Sequence, residues 1–445
     1  METEQDTRWA DIPPEILLQI LGDLFGLPKS LNSVQRTILA RVQRVCRTWK
    51  EITDNDPNFW QGVDIDLSED FKAFDKARAA DLVNGWLRRS GRKHRLTLRC
   101  SPQTSGRGDD ANAVFISLLP LLGSVEGGWE ELVFDKLPRH HMAQVQQLSR
   151  RTRKPPANWR SVTKLAFQHR ATTLESGMVG FAGIPFEDVS SLGSLSLGGV
   201  SFLGPARNIH THKSLTSLHL SYFSADATFT TKLVETFPAL EELTLARGIH
   251  AHGAKPSPIT HSGIERLGVV GNGTILLLPD LSLPSLRLLR LCQMHDDPPL
   301  FYNEIRALLA RSVNHIEVLS LEDSGLAPVP ILLLLRGLVP VHWLFVPSFD
   351  IFINMVDVPR KLKGILAADS VLTPKRLESL LCVFTARHST VQEEDVVSVY
   401  TSEASRGLLT EEDLARLDKL NVKVIFRALK DAHGPFSYEL SNPWW

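Results

Sequence analysis

The chain is short of cysteine, tyrosine and methionine, holding 4, 4 and 5 of them in 445 residues. Cys46, Cys100, Cys292 and Cys382 lie far apart and form no Cys-x-x-Cys pair. That spacing excludes a disulfide framework and a cysteine-based zinc site, and the expectation is four buried free thiols. An excess of charge of either sign is also missing. Lys and Arg number 49 against 50 Asp and Glu, a net charge of -1, which points away from nucleic acid and from anionic membrane as partners. The longest apolar run, Ile331 to Pro347, is broken by Arg336, Pro340 and His342 and falls short of the about 20 residues a membrane span needs. Met1 to Asp11 is polar and acidic, without the basic start and apolar stretch of a signal peptide. Together these absences predict a soluble intracellular protein, cytoplasmic or nuclear.

Catalytic signatures are absent as well. Gly22 to Ser30 has the outline of a phosphate loop, but no glycine precedes Lys29 and no buried strand leads in. There is no nucleophile elbow, no His-Glu-x-x-His and no Gly-x-Gly-x-x-Gly. His210, His212, His250, His252 and His261 cluster in sequence, yet fall between periodic segments and read as solvated loop histidines. The basic run Arg150 to Lys154 reads as a solvated loop. No catalytic residue, metal or cofactor is expected, and the chain is not read as an enzyme.

What is abundant is leucine, with 67 copies. Hydrophobic residues make up 43 % and charged residues 22 %, as in folded proteins. An excess of one γ-branched residue implies a core position that is reused many times.

Near the amino terminus, Asp11 can cap a helix that opens on Pro13 and Pro14, with Glu15 at its positive end. Ile16, Leu17, Ile20, Leu21 and Leu24 then recur at helical spacing. A second helix is predicted to carry Leu39, Val42, Val45, Cys46 and Trp49 on one face. Asp56 to Trp60 reads as a turn delivering two aromatics. So many large apolar groups exceed what a sixty-residue unit can bury, and some should meet another surface.

These residues carry a resemblance. Ile12-Pro13-x-Glu15-Ile16-Leu17-x-x-Ile20, then Val45-Cys46-x-x-Trp49, then Pro57-x-Phe59-Trp60, is similar to an F-box over residues 9–62. Ile12 stands where the family usually has leucine, and Gly22 to Gln35 lengthens the gap between the blocks. The resemblance implies a three-helix module that docks on the Skp-family adaptor of a cullin–RING (SCF) ubiquitin ligase. Ile12, Pro13, Ile16, Leu17, Ile20, Val45, Cys46 and Trp49 would be docking or supporting residues. Each buried apolar side chain contributes roughly 1.5–3 kcal/mol, so a charge at Leu17 should abolish docking. The competing expectation is a non-catalytic scaffold whose amino-terminal helices only cap the repeats or act outside a ligase.

Residues 63–110 read as a connection, with a helix ending near Gly91, a strand over Arg95 to Arg99 that places Leu96 and Leu98 on one face, and a loop. Over residues 111–400 one pattern returns, an apolar residue followed by others at the third and fifth positions after it. The copies are Trp129/Leu132/Phe134, Val162/Leu165/Phe167, Leu192/Leu195/Leu197, Leu215/Leu218/Leu220 and Leu240/Leu243/Leu245. They continue as Ile264/Leu267/Val269, Leu286/Leu289/Leu291, Ile316/Leu319/Leu321, Val341/Leu344/Val346 and Leu362/Ile365/Ala367. Successive copies are 33, 30, 23, 25, 24, 22, 30, 25 and 21 residues apart. Most steps suit the about 20–29 residues of a degenerate leucine-rich repeat. The predicted fold is therefore α/β: a small all-α module followed by a leucine-rich-repeat-like solenoid, closed by a cap over residues 401–445. There Thr410 to Asp413 forms a capping box before a helix and a strand.

With the triads facing inward, the alternate strand residues and those just after the strands face a target protein. Early in the array these are Glu131, Asp135, Lys164 and Gln168. His219, Tyr222, Glu242, Arg247, Arg266 and Arg290 follow, then Glu322, Asp323, Trp343 and Phe345. Arginine and exposed aromatics are frequent binding hot spots, so the expectation is an acidic segment bound by Arg247, Arg266 and Arg290 with help from the neighbouring aromatics.

Overall fold

The computed structural model describes residues 12–25, 30–67, 70, 79–89, 93–100, 108–138, 140–141, 144–145, 159–169, 179–180, 189–201, 212–225, 229–250, 258–292, 298–312, 316–321, 341–346, 348–350, 362–367, 371–390 and 396–427. The chain divides into two units, residues 1–199 and 200–445.

The first unit opens with three helices, α1 (Pro14–Phe25), α2 (Ser33–Val42) and α3 (Arg47–Asn55), and a 3-10 turn, Pro57–Phe59. Five parallel strands follow: Gly62–Asp66, His94–Arg99, Trp129–Leu137, Lys164–His169 and Ser194–Gly198. Val63, Leu96, Leu132, Leu165 and Leu195 are aligned across them, as are Ile65, Leu98, Phe134, Phe167 and Leu197. Phe134 and Phe167 stack at 5.0 Å. Parallel neighbours need a crossover, and α4 (Ala79–Leu87) and α5 (Gly108–Ser124) provide the first two.

The second unit has nine parallel strands: Ser217–Ser221, Glu242–Ala246, Arg266–Val270, Leu288–Cys292, Val318–Ser320, Trp343–Val346, Gly364–Ala367, Val397–Ser402 and Val422–Arg427. Each pairs with the next in chain order, so Leu218, Leu243, Leu267, Leu289, Leu319, Leu344, Ile365, Val399 and Val424 form one continuous row. Short two-residue strands at Val200–Ser201, Ser224–Ala225 and Ile249–His250 make a second parallel ladder just beyond the main strands. Helices such as Phe229–Thr236, Pro298–Ser312, Pro374–Thr390 and Glu411–Asp418 return the chain.

All ten triads are buried, and no member is more than 4 % exposed. The parallel strands nevertheless begin earlier in the first unit, and end later in the second, than the triads indicate. Gly62–Asp66 and His94–Arg99, in the stretch read as a connection, already pair in parallel. Val397–Ser402 and Val422–Arg427 extend the row into the stretch read as a cap. The capping box of Thr410 and Asp413 is present, and it opens the helix between those last two strands. Three of these four additional strands lack a complete apolar triad in register: Lys93 and Asn421 stand at the first position of two of them, and Thr401 at the last position of the third. Only the alternation Leu96/Leu98, Val397/Val399 or Val422/Val424 marks them.

Two further expectations are corrected. The four cysteines are free, but Cys46 is half-buried and Cys382 exposed; only Cys100 and Cys292 are buried. His261 is not solvated. It is 3 % exposed, with Nε2 2.9 Å from the Phe237 carbonyl and Nδ1 accepting from the Gly263 amide at 3.2 Å, so it is a fully bonded core histidine.

Candidate functional site

Helix α1 carries two apolar seams one residue apart. Pro14 opens it where no amide hydrogen is needed, and Glu15 faces its positive end. Leu17, Leu21 and Phe25, four residues apart, are 1–2 % exposed and pack with Leu31, Leu39, Phe59 and Trp60. Ile16, Ile20 and Leu24, at the same spacing, are 49 %, 51 % and 57 % exposed. The helix thus spends one seam on its own core and presents the other outward.

The expected docking residues therefore separate. Pro13, Ile16, Ile20 and Val45 are exposed. Ile12 and Trp49 are half-buried and pack against the helical core, and Cys46 is half-buried. Leu17 lies inside the core, so a charge there would break the fold before it could report on docking. Leu24, read in sequence as part of the apolar stripe but not as a docking residue, joins the outward apolar set, as does Val34, which is 65 % exposed and carried no reading in sequence. The i, i+4, i+8 spacing would have placed Leu24 with Ile16 and Ile20.

The predicted single second helix is two. Arg44 and Val45 bond back only three residues, to Arg41 and Val42, and Cys46 is extended at φ -158°, ψ 171°. This break turns Val45 outward instead of leaving it in line with Leu39 and Val42. The long gap before α2 also has a use. Leu31 pairs with Val63 as an extra bridge on the first strand, donating to the Gly62 carbonyl at 3.2 Å and accepting from the Asp64 amide at 3.0 Å. Gly62 permits this approach, because a Cβ there would sit 2.5 Å from Ser30 Oγ. Asn32 and Gln35 then form a capping box that starts α2. Trp60 and Trp86 rings lie 4.6 Å apart, Trp60 Nε1 donates to the Thr53 carbonyl, and the Arg89 guanidinium covers Trp60 at 4.5 Å. The three helices, the first strand and α4 therefore share packing.

The outer strand face of the first unit neutralises itself. Arg95 pairs with Glu130 at 3.0 Å and lies 3.7 Å from Glu131, Lys164 reaches Glu131 at 3.9 Å, and Arg99 bridges to Asp64. Asp135 is held above the usual carboxylate range, chiefly by burial.

In the second unit the register sorts the predicted target-binding residues. Arg266 is half-buried and lies 3.4 Å from the buried Glu242 on the adjacent strand. Burial lowers the His219 pKa to about 4, so its ring is neutral at pH 7. Arg290 is half-buried beside Gly268 and Ser320. Phe345, expected to face outward to a target, is 1 % exposed and packs with Leu288, Val318, Leu366 and Tyr400, while Trp343 is half-buried at the edge of that cluster. Aromatic area at the end of the array goes into packing between strands, because consecutive rows there are apolar on both faces. Glu322 and Asp323 lie outside the described residues.

Tyr222 and Arg247 stand apart. Each follows its strand and has left-handed backbone, φ 48° and 51°. Gly199, Gly271 and Lys136 occupy the same place, two residues after the last triad member, with φ 70°, 82° and 54°. This conformation costs a non-glycine residue roughly 1 kcal/mol. The Arg247 guanidinium lies over the Tyr222 ring at 5.1 Å and donates to its hydroxyl. Arg247 is exposed and Tyr222 half-buried.

Among the described residues no three His, Cys, Asp or Glu side chains are grouped to hold a metal ion, and no helix is long and apolar enough to cross a membrane. Residues 9–66 match the model of the F-box-like family. The F-box protein SKIP19 of Arabidopsis thaliana is 32 % identical over 65 residues, 15 % of this chain and 18 % of that protein. Those 65 residues are less than a fifth of that relative, and the family match ends where the first strand ends. The α1–α3 module with its outward seam is thus an F-box-like domain, and of the parallel strands the match takes in the first alone.

Proposed function

We propose that this chain is a substrate-recognition adaptor of an SCF-type cullin–RING ubiquitin ligase. Its F-box-like domain docks on the Skp-family adaptor, which links it to the cullin and RING subunits. The parallel strands form a degenerate leucine-rich-repeat array that holds a target protein. The steps of 21 to 33 residues between triads and their complete burial support that reading of the array. Ubiquitin transfer belongs to the other subunits; this chain raises the effective concentration of target near them and needs no catalytic residue.

The observation that carries the reading is the seam Ile16, Ile20 and Leu24, about half exposed on a helix whose other seam is already buried. A helix serving only as a cap would have no use for it, which counts against the scaffold alternative. An amphipathic face of this kind suits insertion into a partner groove. The test is co-purification of the full chain, wild type and an Ile16→Asp/Ile20→Asp variant, with the Skp-family adaptor and cullin. Wild type should capture both. The variant should keep its melting temperature and capture neither. Capture of the adaptor without cullin would favour a role outside a ligase, and capture by the variant would overturn the docking face.

A further inference from the structure

We propose that residues 428–445, which follow the last strand, lie across the outer strand face of the second unit and occupy its late end. The inference goes beyond the adaptor reading and stands whether or not a ligase is assembled. It begins with a change of chemistry along one face. In the first unit the residues that alternate with the triads are charged, as at Arg95, Glu131 and Lys164. In the second unit the corresponding positions run through Glu242, Thr244 and Arg266 and then turn apolar, at Leu288, Val318, Phe345, Leu366 and Tyr400. These five are no more than 8 % exposed. A sheet does not bury its own face, because neighbouring strands shield the flanks of a side chain and leave its tip open. The partly buried apolar side chains packed against the five, Trp343 and Ile425, stand on the same face. The burial is reached within one chain, so the cover belongs to this chain.

Topology identifies the cover. Consecutive parallel strands joined by right-handed crossovers carry all their connections on one face of the row, and the buried triads mark that face. The opposite face is left to the chain before the first strand of the unit or after the last. The segment before Ser217–Ser221 enters at the far end of the row, whereas Val422–Arg427 borders the apolar patch. The buried line Phe345, Leu366 and Tyr400 continues to Ile425, two residues before Arg427, while Lys423 in the parallel line is exposed. The cover is therefore densest on the side from which the chain leaves. The six strands from Leu288 to Ile425 span about 24 Å, and eighteen extended residues reach about 60 Å, so the segment can return across them. Residues 428–445 lie outside the described residues, and their sequence suits this place. They hold four aromatics, about three times the chain's 7 %. Phe436, Tyr438 and Leu440 alternate with Ser437 and Glu439, which puts three apolar groups on one side of an extended backbone. In the adaptor reading, a target is left the earlier, polar part of the face.

The test places the photo-cross-linker benzoylphenylalanine at Tyr438 of the full chain and maps the bonded peptides by mass spectrometry after irradiation. Bonds within one chain to residues 318–320, 343–346, 364–367 or 397–402 are expected. Bonds to the helices or to the first unit, bonds joining two copies, or no specific bond at all overturn the proposal. A second measurement follows the fluorescence of 8-anilinonaphthalene-1-sulfonate, which brightens on open apolar surface, with the full-length Phe436→Ser/Tyr438→Ser/Trp444→Ser/Trp445→Ser variant. The signal should rise at least about threefold over wild type. A synthetic peptide of residues 428–445 should reverse the rise, and the same peptide carrying the four serines should not. An unchanged signal overturns the proposal, because another segment would then be the cover. A variant that unfolds would also bind the dye without reversal by the peptide, and the cross-link then decides. Docking through Ile16 and Ile20 is read by adaptor capture, so its failure is distinguishable from failure here.

Discussion

Ile16 and Leu17 are consecutive in the chain, yet Leu17 is 1 % exposed and Ile16 49 %. The peptide bond between them marks the boundary between a core that the domain completes by itself and a face it leaves open. Helical geometry makes this inevitable, since neighbours point about 100° apart and both seams repeat every four residues.

The two seams should respond differently to truncation. Leu17→Ala should cost about 2–5 kcal/mol, because the surrounding Leu21, Phe25, Phe59 and Trp60 cannot close the cavity. Ile16→Ala should change stability by no more than about 0.5 kcal/mol, as is usual for exposed sites. Urea unfolding of the full chain separates them.

Trp343 lies across Gly364 on the neighbouring strand, and a Cβ at Gly364 would stand 2.2 Å from its Cζ3. Gly364→Ala should therefore destabilise by about 1–3 kcal/mol, and much less in a Trp343→Leu background. A double-mutant cycle by urea denaturation should give a coupling of about 1 kcal/mol or more.

Arg36 fastens α2 to the first strand. Its guanidinium donates to the Leu31 carbonyl at 2.8 Å, the Asp64 carbonyl at 2.5 Å and the Asp70 carboxylate at 2.7 Å, and the Asp70 side chain is 6 % exposed. Arg36→Met strands that carboxylate and should cost roughly 3–5 kcal/mol, with partial recovery in Arg36→Met/Asp70→Asn. Hydrogen exchange at residues 62–66 should accelerate in the single variant.

Acid should weaken the fold before carboxylates protonate. Burial, aided at His141 by His140, lowers the pKa of His141 and His219 to about 4, below the ordinary 6.5. Above pH 6.5 neither state binds the proton and stability is full. Between 6.5 and about 4 only the unfolded chain binds it, so stability falls as pH falls, by up to roughly 1.4 kcal/mol per pH unit for each histidine. Urea midpoints at pH 7.5, 6 and 5 should drop in that order, and less so in His141→Gln, which keeps a donor for Asn112.

The triads were legible because burial demands the same side chain at every strand, and repetition makes a weak signal strong. The strands at Gly62–Asp66, His94–Arg99 and Val422–Arg427 escaped that pattern: the first precedes the array as read, and the other two lack the first apolar member. Phe345 was misplaced for a related reason. Alternation predicts which face a residue takes, while the cover over that face depends on segments remote in sequence.

At the candidate sites the limits are similar. The apolar excess over residues 12–60 indicated that something must remain open, but not that the boundary ran between Ile16 and Leu17. The left-handed turns at Tyr222 and Arg247 carry no sequence mark, since nothing about tyrosine or arginine announces positive φ.

The sequence by itself determined the periodic core, the helical module and the residue types available for binding, because these follow from spacing and side-chain chemistry. Tertiary structure alone decided which of two equivalent seams is open, where the second helix breaks, and that Tyr222 meets Arg247 from 25 residues away. Those outcomes depend on competition among distant groups for the same buried volume, and local pattern does not encode it.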